Sequence, residues 1–231
     1  MKKFGICFII FLVVGCSGKE GVIVEEKEVL HVSAKSVSKE KEPVRPNVDS
    51  IDYFLPDNHS QERTEKITHL MIHFISNAAN NPKDPYNVRD VNAIFLDYGL
   101  SVHYMIDRDG NIYQLVSEDR VAYHAGKGSL SGFPGYEDRM NEYSIGIELL
   151  AIGTKEEMTA IIPEEKFVQI DPSLQGYTDA QYKTLRLLVD DILKRNPSIL
   201  QDRRHVIGHD EYALDRKTDP GSLFDWTQIG F

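Results

Sequence analysis

Three residues of this chain have the types and setting to bind a metal ion. His73 closes an apolar run, His209 follows Gly208, and Asp219 lies in Lys217-Thr218-Asp219-Pro220-Gly221. Two imidazoles and a carboxylate form a donor set that zinc accepts in catalytic sites, where three protein ligands leave a fourth position for water. The chain has eight histidines, and a histidine at a strand end also fits an ordinary hydrogen-bonded position. Residue types alone therefore leave both readings open. Cys7 and Cys16 are the two cysteines, and neither falls in the part expected to fold. No thiol is then available there as ligand or nucleophile, and no internal disulfide can form.

Several elements are needed to bring these side chains together. Ile67 to Ile75 is short, apolar and β-branched and reads as a buried strand. Val88 to Tyr98 reads as a helix stopped by Gly99. Val102–Ile106 and Ile112–Val116 flank Asp107-Arg108-Asp109-Gly110-Asn111, a hairpin signal in which Asp-Gly supplies the positive φ of a tight turn. Ser144 to Leu150 reads as a strand with Ile145, Ile147 and Leu149 on one face, so Glu148 points the other way beside the small Gly146. Thr178-Asp179-Ala180-Gln181 has the form of a capping box. Leu185, Leu188, Val189, Ile192 and Leu193 follow it at helical spacing, and Asn196-Pro197 ends the helix. His205 to Gly208 is a last short strand, and the rest to Phe231 reads as loop. Strands interleaved with amphipathic helices predict a single α/β domain with one sheet flanked by helices. The share of parallel pairing is not legible.

The N-terminal text points outward from the cytoplasm. Lys2 and Lys3 precede an apolar run from Phe4 to Val14, the layout of an export signal and too short for a permanent span of about 20 residues. Val13-Val14-Gly15-Cys16 resembles a bacterial lipobox, which implies cleavage after residue 15, lipidation of Cys16 and anchorage to a membrane, the outer one if the cell has two. An ordinary secretory leader with an incidental cysteine is the alternative. Residues 16–50 are rich in Lys, Glu, Ser, Val and Pro, a composition that cannot bury enough apolar surface to order itself and predicts a flexible linker. Residues 51–231 are then the folded domain. Loss of Lys2 and Lys3 with the leader takes the formal charge from −10 to −12, which argues against nucleic acid as a partner.

Further blocks carry a resemblance. Thr68-His69-Leu70-Met71-Ile72-His73, Ser101 to Gly110, Ala122-Tyr123-His124-Ala125-Gly126, Asn141 to Glu148, and Gly208-His209 through Asp219-Pro220-Gly221 follow one another in the order seen in the type-2 N-acetylmuramoyl-L-alanine amidases. These are relatives of phage lysozyme-type amidases and of peptidoglycan recognition proteins, and the likeness runs from about residue 67 to 221. It implies a central mixed sheet flanked by helices, one zinc ion on His73, His209 and Asp219, Glu148 as catalytic base and Lys217 as the lysine beside the third ligand. His124 is then expected to line the substrate cleft, with a structural hydrogen bond as the alternative. Val102 stands where the phage enzymes carry a tyrosine near the metal, so no catalytic tyrosine is assigned.

The implied reaction is hydrolysis of the amide between N-acetylmuramic acid and L-alanine in peptidoglycan or muropeptides, by a monomer. The competing expectation is a receptor on the same fold that holds muropeptides without cutting them. Filled ligand positions favour the enzyme. Substrate choice is expected in the loops Lys127 to Asn141 and Thr154 to Gln175. His69, His103 and His205 read as structural residues or as supports for the ligands. His31 falls in the linker, and His59, ahead of the first expected strand, is expected to be exposed.

Overall fold

The computed structural model describes residues 42–231. The chain divides into Met1–Glu40 and Lys41–Phe231, so the leader, Cys16, His31 and most of the expected linker lie outside the described residues. The described elements are β1 (Ile51–Asp52), β2 (Ser60–Glu62), β3 (His69–Ile75), α1 (Val88–Tyr98), β4 (Tyr104–Ile106), β5 (Ile112–Gln114), β6 (Arg120–Ala122), α2 (Met140–Tyr143), β7 (Ser144–Leu150), α3 (Lys155–Met158), α4 (Glu164–Phe167), α5 (Asp179–Arg195), β8 (Val206–Gly208) and α6 (His209–Tyr212). Six strands form one sheet in the order β1-β5-β4-β7-β3-β8, and β2 pairs with β6 in a separate ribbon. Within the sheet only β4–β5 is antiparallel. The sheet is therefore mixed, and mostly parallel.

The two central strands are apolar along nearly their whole length because both faces are covered, as parallel sheets require. On one face Leu70, Ile72, Ile145, Ile147, Leu149 and Tyr104 pack against Leu185, Leu188, Val189 and Ile192 of α5. Thr178 and Gln181 close the capping box at the start of α5. The Gln181 amide then donates to the carbonyls of Ile106 (3.3 Å) and Leu150 (3.1 Å), fastening the helix start to the ends of β4 and β7. On the other face Val91 and Phe95 of α1 cover Met105, Leu115 and Leu150, while Met71 and Ile207 meet Ala125, Met140 and Tyr212. Gly99 ends α1 in the left-handed region (φ 64°), and Gly110 takes φ 84° in the β4–β5 turn.

Some expectations are corrected here. Residues 44–48, expected to be linker, are bound to the domain: Val44 N–H donates to Ser117 Oγ (2.8 Å), Gln114 Nε2 to the Val44 carbonyl (2.7 Å) and Asn47 Nδ2 to Asp191 (2.8 Å). His59, expected to be exposed, is 8% exposed and sits in a helical turn between Pro56 and Ser60. The loop from 154 to 175 contains α3 and α4. Met158, Ile162, Phe167 and Ile170 form a small core of their own against Phe74 and Ile152.

A half-buried cation joins the ribbon to the sheet. Arg63 donates to the carbonyls of Glu118 (3.0 Å), Arg120 (2.8 Å) and Ser144 (3.0 Å), and burial pushes its guanidinium down to about 10. Beside it His103 accepts the Gly146 N–H on Nδ1 (3.1 Å), so its proton resides on Nε2 and is donated to the Arg120 carbonyl (3.1 Å). Burial first, then the charge of Arg63, holds this imidazole down at about 3.

Two measurements follow from this packing. Leu188→Ala leaves a cavity between α5 and the sheet and should cost about 2–5 kcal/mol in urea unfolding. For His103, the folded ring titrates near 3 and the ordinary value is 6.5, so unfolding takes up a proton anywhere between the two. The stability contributed by its neutral state is whole above that upper value and declines as pH falls. Between about pH 6 and pH 4 the advantage of wild type over His103→Gln should shrink by about 1.4 kcal/mol per pH unit. A constant advantage across that window would mean that His103 is already charged in the fold.

Candidate metal centre

The register of β3 against β7 builds the first half of the site. His73 and Glu148 are direct partners across the parallel pair, and Met105 of β4 is the partner of Glu148 on the other side. Opposite residues share a face, so His73 and Glu148 project together from the side away from α5. The second half comes from the C-terminal end of β8. Gly208 leads into the single turn of α6, whose first residue is His209, and the Asp219 carbonyl accepts the Asp210 N–H (2.8 Å), folding the following loop back over the turn.

Three donor atoms meet there. His73 Nδ1 lies 3.0 Å from His209 Nδ1, and both lie 2.9 Å from Asp219 Oδ2. All three residues are buried, and they form the one group of potential metal ligands found among the described residues. His209 donates Nε2–H to the Ala125 carbonyl (2.9 Å), which turns its Nδ1 toward the other two donors. Burial, then the neighbouring His209 ring, pushes His73 down to about 4, so it is neutral at pH 7. Burial works to raise the Asp219 carboxyl, but the His209 and His73 rings against it hold it well below its usual range, so it is anionic. A carboxylate oxygen and two imidazole nitrogens facing one another within 3.0 Å form a donor set suited to a cation. The spacing is close to the roughly 3.3 Å edge of a tetrahedron with metal–ligand bonds of about 2 Å. The residues fit the ion.

Glu148 stands next to this group at 9% exposure, and its Oε2 has no hydrogen-bond partner among the described residues. Burial, reinforced by the Asp219 charge and opposed by Lys217, raises its carboxyl well above the ordinary value. Lys217 is half-buried, and its charge acts on both Glu148 and His73. The structure thus brings together five of the sequence-derived residues: His73, His209, Asp219, Glu148 and Lys217.

His124 is half-buried and makes hydrogen bonds within the protein, the structural role weighed beside a place in the cleft. It lies behind His73, with Nδ1 3.0 Å from His73 Nε2 and Nε2 3.2 Å from Ser144 Oγ, so both ring nitrogens are occupied inside the protein. The Asn141 side chain fixes its backbone by accepting from the N–H groups of His124 (2.9 Å) and Ala125 (2.8 Å). A Cβ on Gly146 would fall 2.7 Å from the ring. Isolated glycine inside a strand signals such a close approach, and Gly146 carried that signal in the sequence without naming its neighbour. His69 and His205 stack on each other with ring centroids 5.2 Å apart, away from the donor group.

The loop bearing Asp219 is held by residues that no sequence pattern marked. Glu157 accepts from the N–H of Thr154 (2.8 Å) and of Ser222 (2.7 Å), and its carbonyl takes the Thr218 hydroxyl (3.1 Å). Tyr177 donates its hydroxyl to the Pro220 carbonyl (2.6 Å).

Comparison with known proteins accords with this geometry. The chain is similar to the 1,6-anhydro-N-acetylmuramyl-L-alanine amidase AmpD of Citrobacter freundii, 36% identical over 130 residues, which cover 56% of this chain and 55% of that protein. This chain therefore spans about half the length of the curated relatives it matches. A crystal structure of AmpD shares the fold with a TM-score of 0.55 and 27% identity, covering 81% of this chain and 97% of that one. The Escherichia coli amidase AmiD, solved with the substrate anhydro-N-acetylmuramic acid-L-Ala-D-γ-Glu-L-Lys, superposes with a TM-score of 0.52 and 28% identity over 73% of this chain and 59% of that one. The Amidase_2 family model matches residues 63–222, spanning every residue of the donor group and both charged neighbours, and the chain belongs to that family, described as N-acetylmuramoyl-L-alanine amidase.

Proposed function

We propose that this protein is a zinc-dependent amidase that hydrolyses the bond between the lactyl carbonyl of N-acetylmuramic acid and the amine of L-alanine in peptidoglycan or its fragments. The observation that carries the reading is the buried convergence of His73 Nδ1, His209 Nδ1 and Asp219 Oδ2 beside a carboxyl oxygen of Glu148 that has no partner among the described residues. Family membership and the activities named for AmpD and AmiD support the substrate class.

In this reading His73, His209 and Asp219 hold zinc. When bound, the ion supplies Lewis acidity that makes water a nucleophile near neutral pH. Glu148 accepts the proton released as the water oxygen bonds to the lactyl carbon. It then delivers that proton to the alanine nitrogen as the C–N bond breaks, giving a free amine and a lactyl carboxylic acid. The Lys217 ammonium faces the negative charge that develops on the carbonyl oxygen, a role in which one donor is typically worth about 3–4 kcal/mol. Substrate selection is assigned to the 127–141 and 154–175 segments, the second of which is a folded unit with its own core. The protein acts outside the cytoplasm, tethered through lipid on Cys16, and works as a monomer.

The test is to incubate the purified chain with a muropeptide, with and without a zinc chelator, beside Glu148→Gln, and to identify products by mass. Release of intact stem peptide with a free alanine amine is expected, lost on chelation and restored by zinc. The Gln variant should fall by about 10²–10⁴-fold. Tight binding without cleavage by zinc-loaded protein would instead establish a receptor. For the anchor, cells fed labelled palmitate should label the wild-type chain and not Cys16→Ala; equal labelling of both would remove the lipid assignment.

A further inference from the structure

The bonds behind His73 form a line whose directions are set from its far end. The Ser144 hydroxyl donates its single proton to the Met140 carbonyl (2.6 Å), so the oxygen it turns to His124 Nε2 (3.2 Å) is an acceptor. His124 therefore carries its proton on Nε2 and presents a bare Nδ1. That nitrogen, 3.0 Å from His73 Nε2, must receive a proton from it. A neutral imidazole has one N–H, so His73 Nδ1, the atom 2.9 Å from Asp219 Oδ2, is a lone pair.

The rings are also fixed in orientation. His73 and His124 meet edge to face at 5.0 Å and 86°, and His103 closes the far side of His124 at 5.9 Å. The floor is the bare backbone of Gly146, where a Cβ would strike the body of the His124 ring at 2.7 Å. His103 takes the N–H of that same glycine, so the floor is held as well as left open.

We propose that His124 is a positioning residue, seated by Gly146 and Ser144, that sets the tautomer and ring angle of His73 so that Nδ1 faces the bound cation unprotonated. This rests on the zinc reading above. Partners that orient a metal-binding histidine in this way commonly contribute about 10–100-fold in metal affinity. His124 thus acts through His73 and not on the substrate.

The decisive quantity is the zinc dissociation constant, measured by chelator competition together with the melting temperature of the zinc-free protein. His124→Phe keeps a ring and removes both nitrogens, and should weaken zinc by about 10–100-fold at little change in zinc-free melting. His124→Asn, whose amide oxygen can accept from His73 Nε2–H, should recover most of the lost affinity. The cobalt-substituted protein adds a second readout: its visible absorption should shift in His124→Phe and return toward wild type in His124→Asn. If the Phe variant does not fold, Ser144→Ala decides, with weakened zinc supporting the line of bonds and unchanged zinc overturning it. Wild-type affinity in His124→Phe, or equal losses in Phe and Asn, would overturn the proposal while leaving the zinc reading intact. A wild-type chain that takes up no zinc overturns both.

Discussion

The parallel pairing of β3 with β7 is the constraint on which the site depends. It sets His73 beside Glu148, and a slip of one residue would turn one of them into the α5-facing core. The register is held by burial on both faces: Leu70, Ile72, Ile145 and Ile147 fit only against α5, and Met71 fits only among Ala125, Ile207 and Tyr212. The same burial dries the site, so the forces that fix its geometry also raise Glu148 and lower His73. Placement and proton affinity have a single origin.

Gathering three lone-pair donors in an apolar interior is unfavourable on its own, and the surrounding structure opposes their separation. Ala125 holds His209 through its carbonyl, while Asn141 holds the backbone on either side of that contact. Glu157 and Tyr177 hold the loop on both sides of Asp219. Most of these contacts run to backbone groups. The donors are thus fixed by the course of the chain more than by side chains packed around them.

The elements with strong periodicity were legible: the apolar runs of β3 and β7, the capping box of α5 and the Asp-Gly turn before β5. Strand partners were not, because β1, β2 and β6 are two or three residues long and carry no pattern of their own. Their pairing depends on contacts such as Arg63, a lone arginine until the carbonyls around it are seen. For the site, the ordered blocks of resemblance pointed to the residues that converge, but a motif does not say what stands behind a residue. The sequence left His124 between a cleft residue and a structural hydrogen bond. Its seat depends on Gly146, whose missing side chain has meaning only once the ring is placed against it. The linker boundary was misjudged for a similar reason, since Val44 and Asn47 find their partners in Ser117 and Asp191.

The spacing of the donors along the chain bears on how the protein is made. His73 is separated from His209 by 136 positions and from Asp219 by 146, and the first of them lies in the sheet while the others follow its last strand. No local fragment holds more than two of the three, so the ion cannot nucleate folding as it does in a zinc finger. Closure of a loop this long must be driven by the apolar core before the donors meet. A metal at this group would therefore be taken up only after the core has closed, and a chain still lacking Asp219 could not hold it in full.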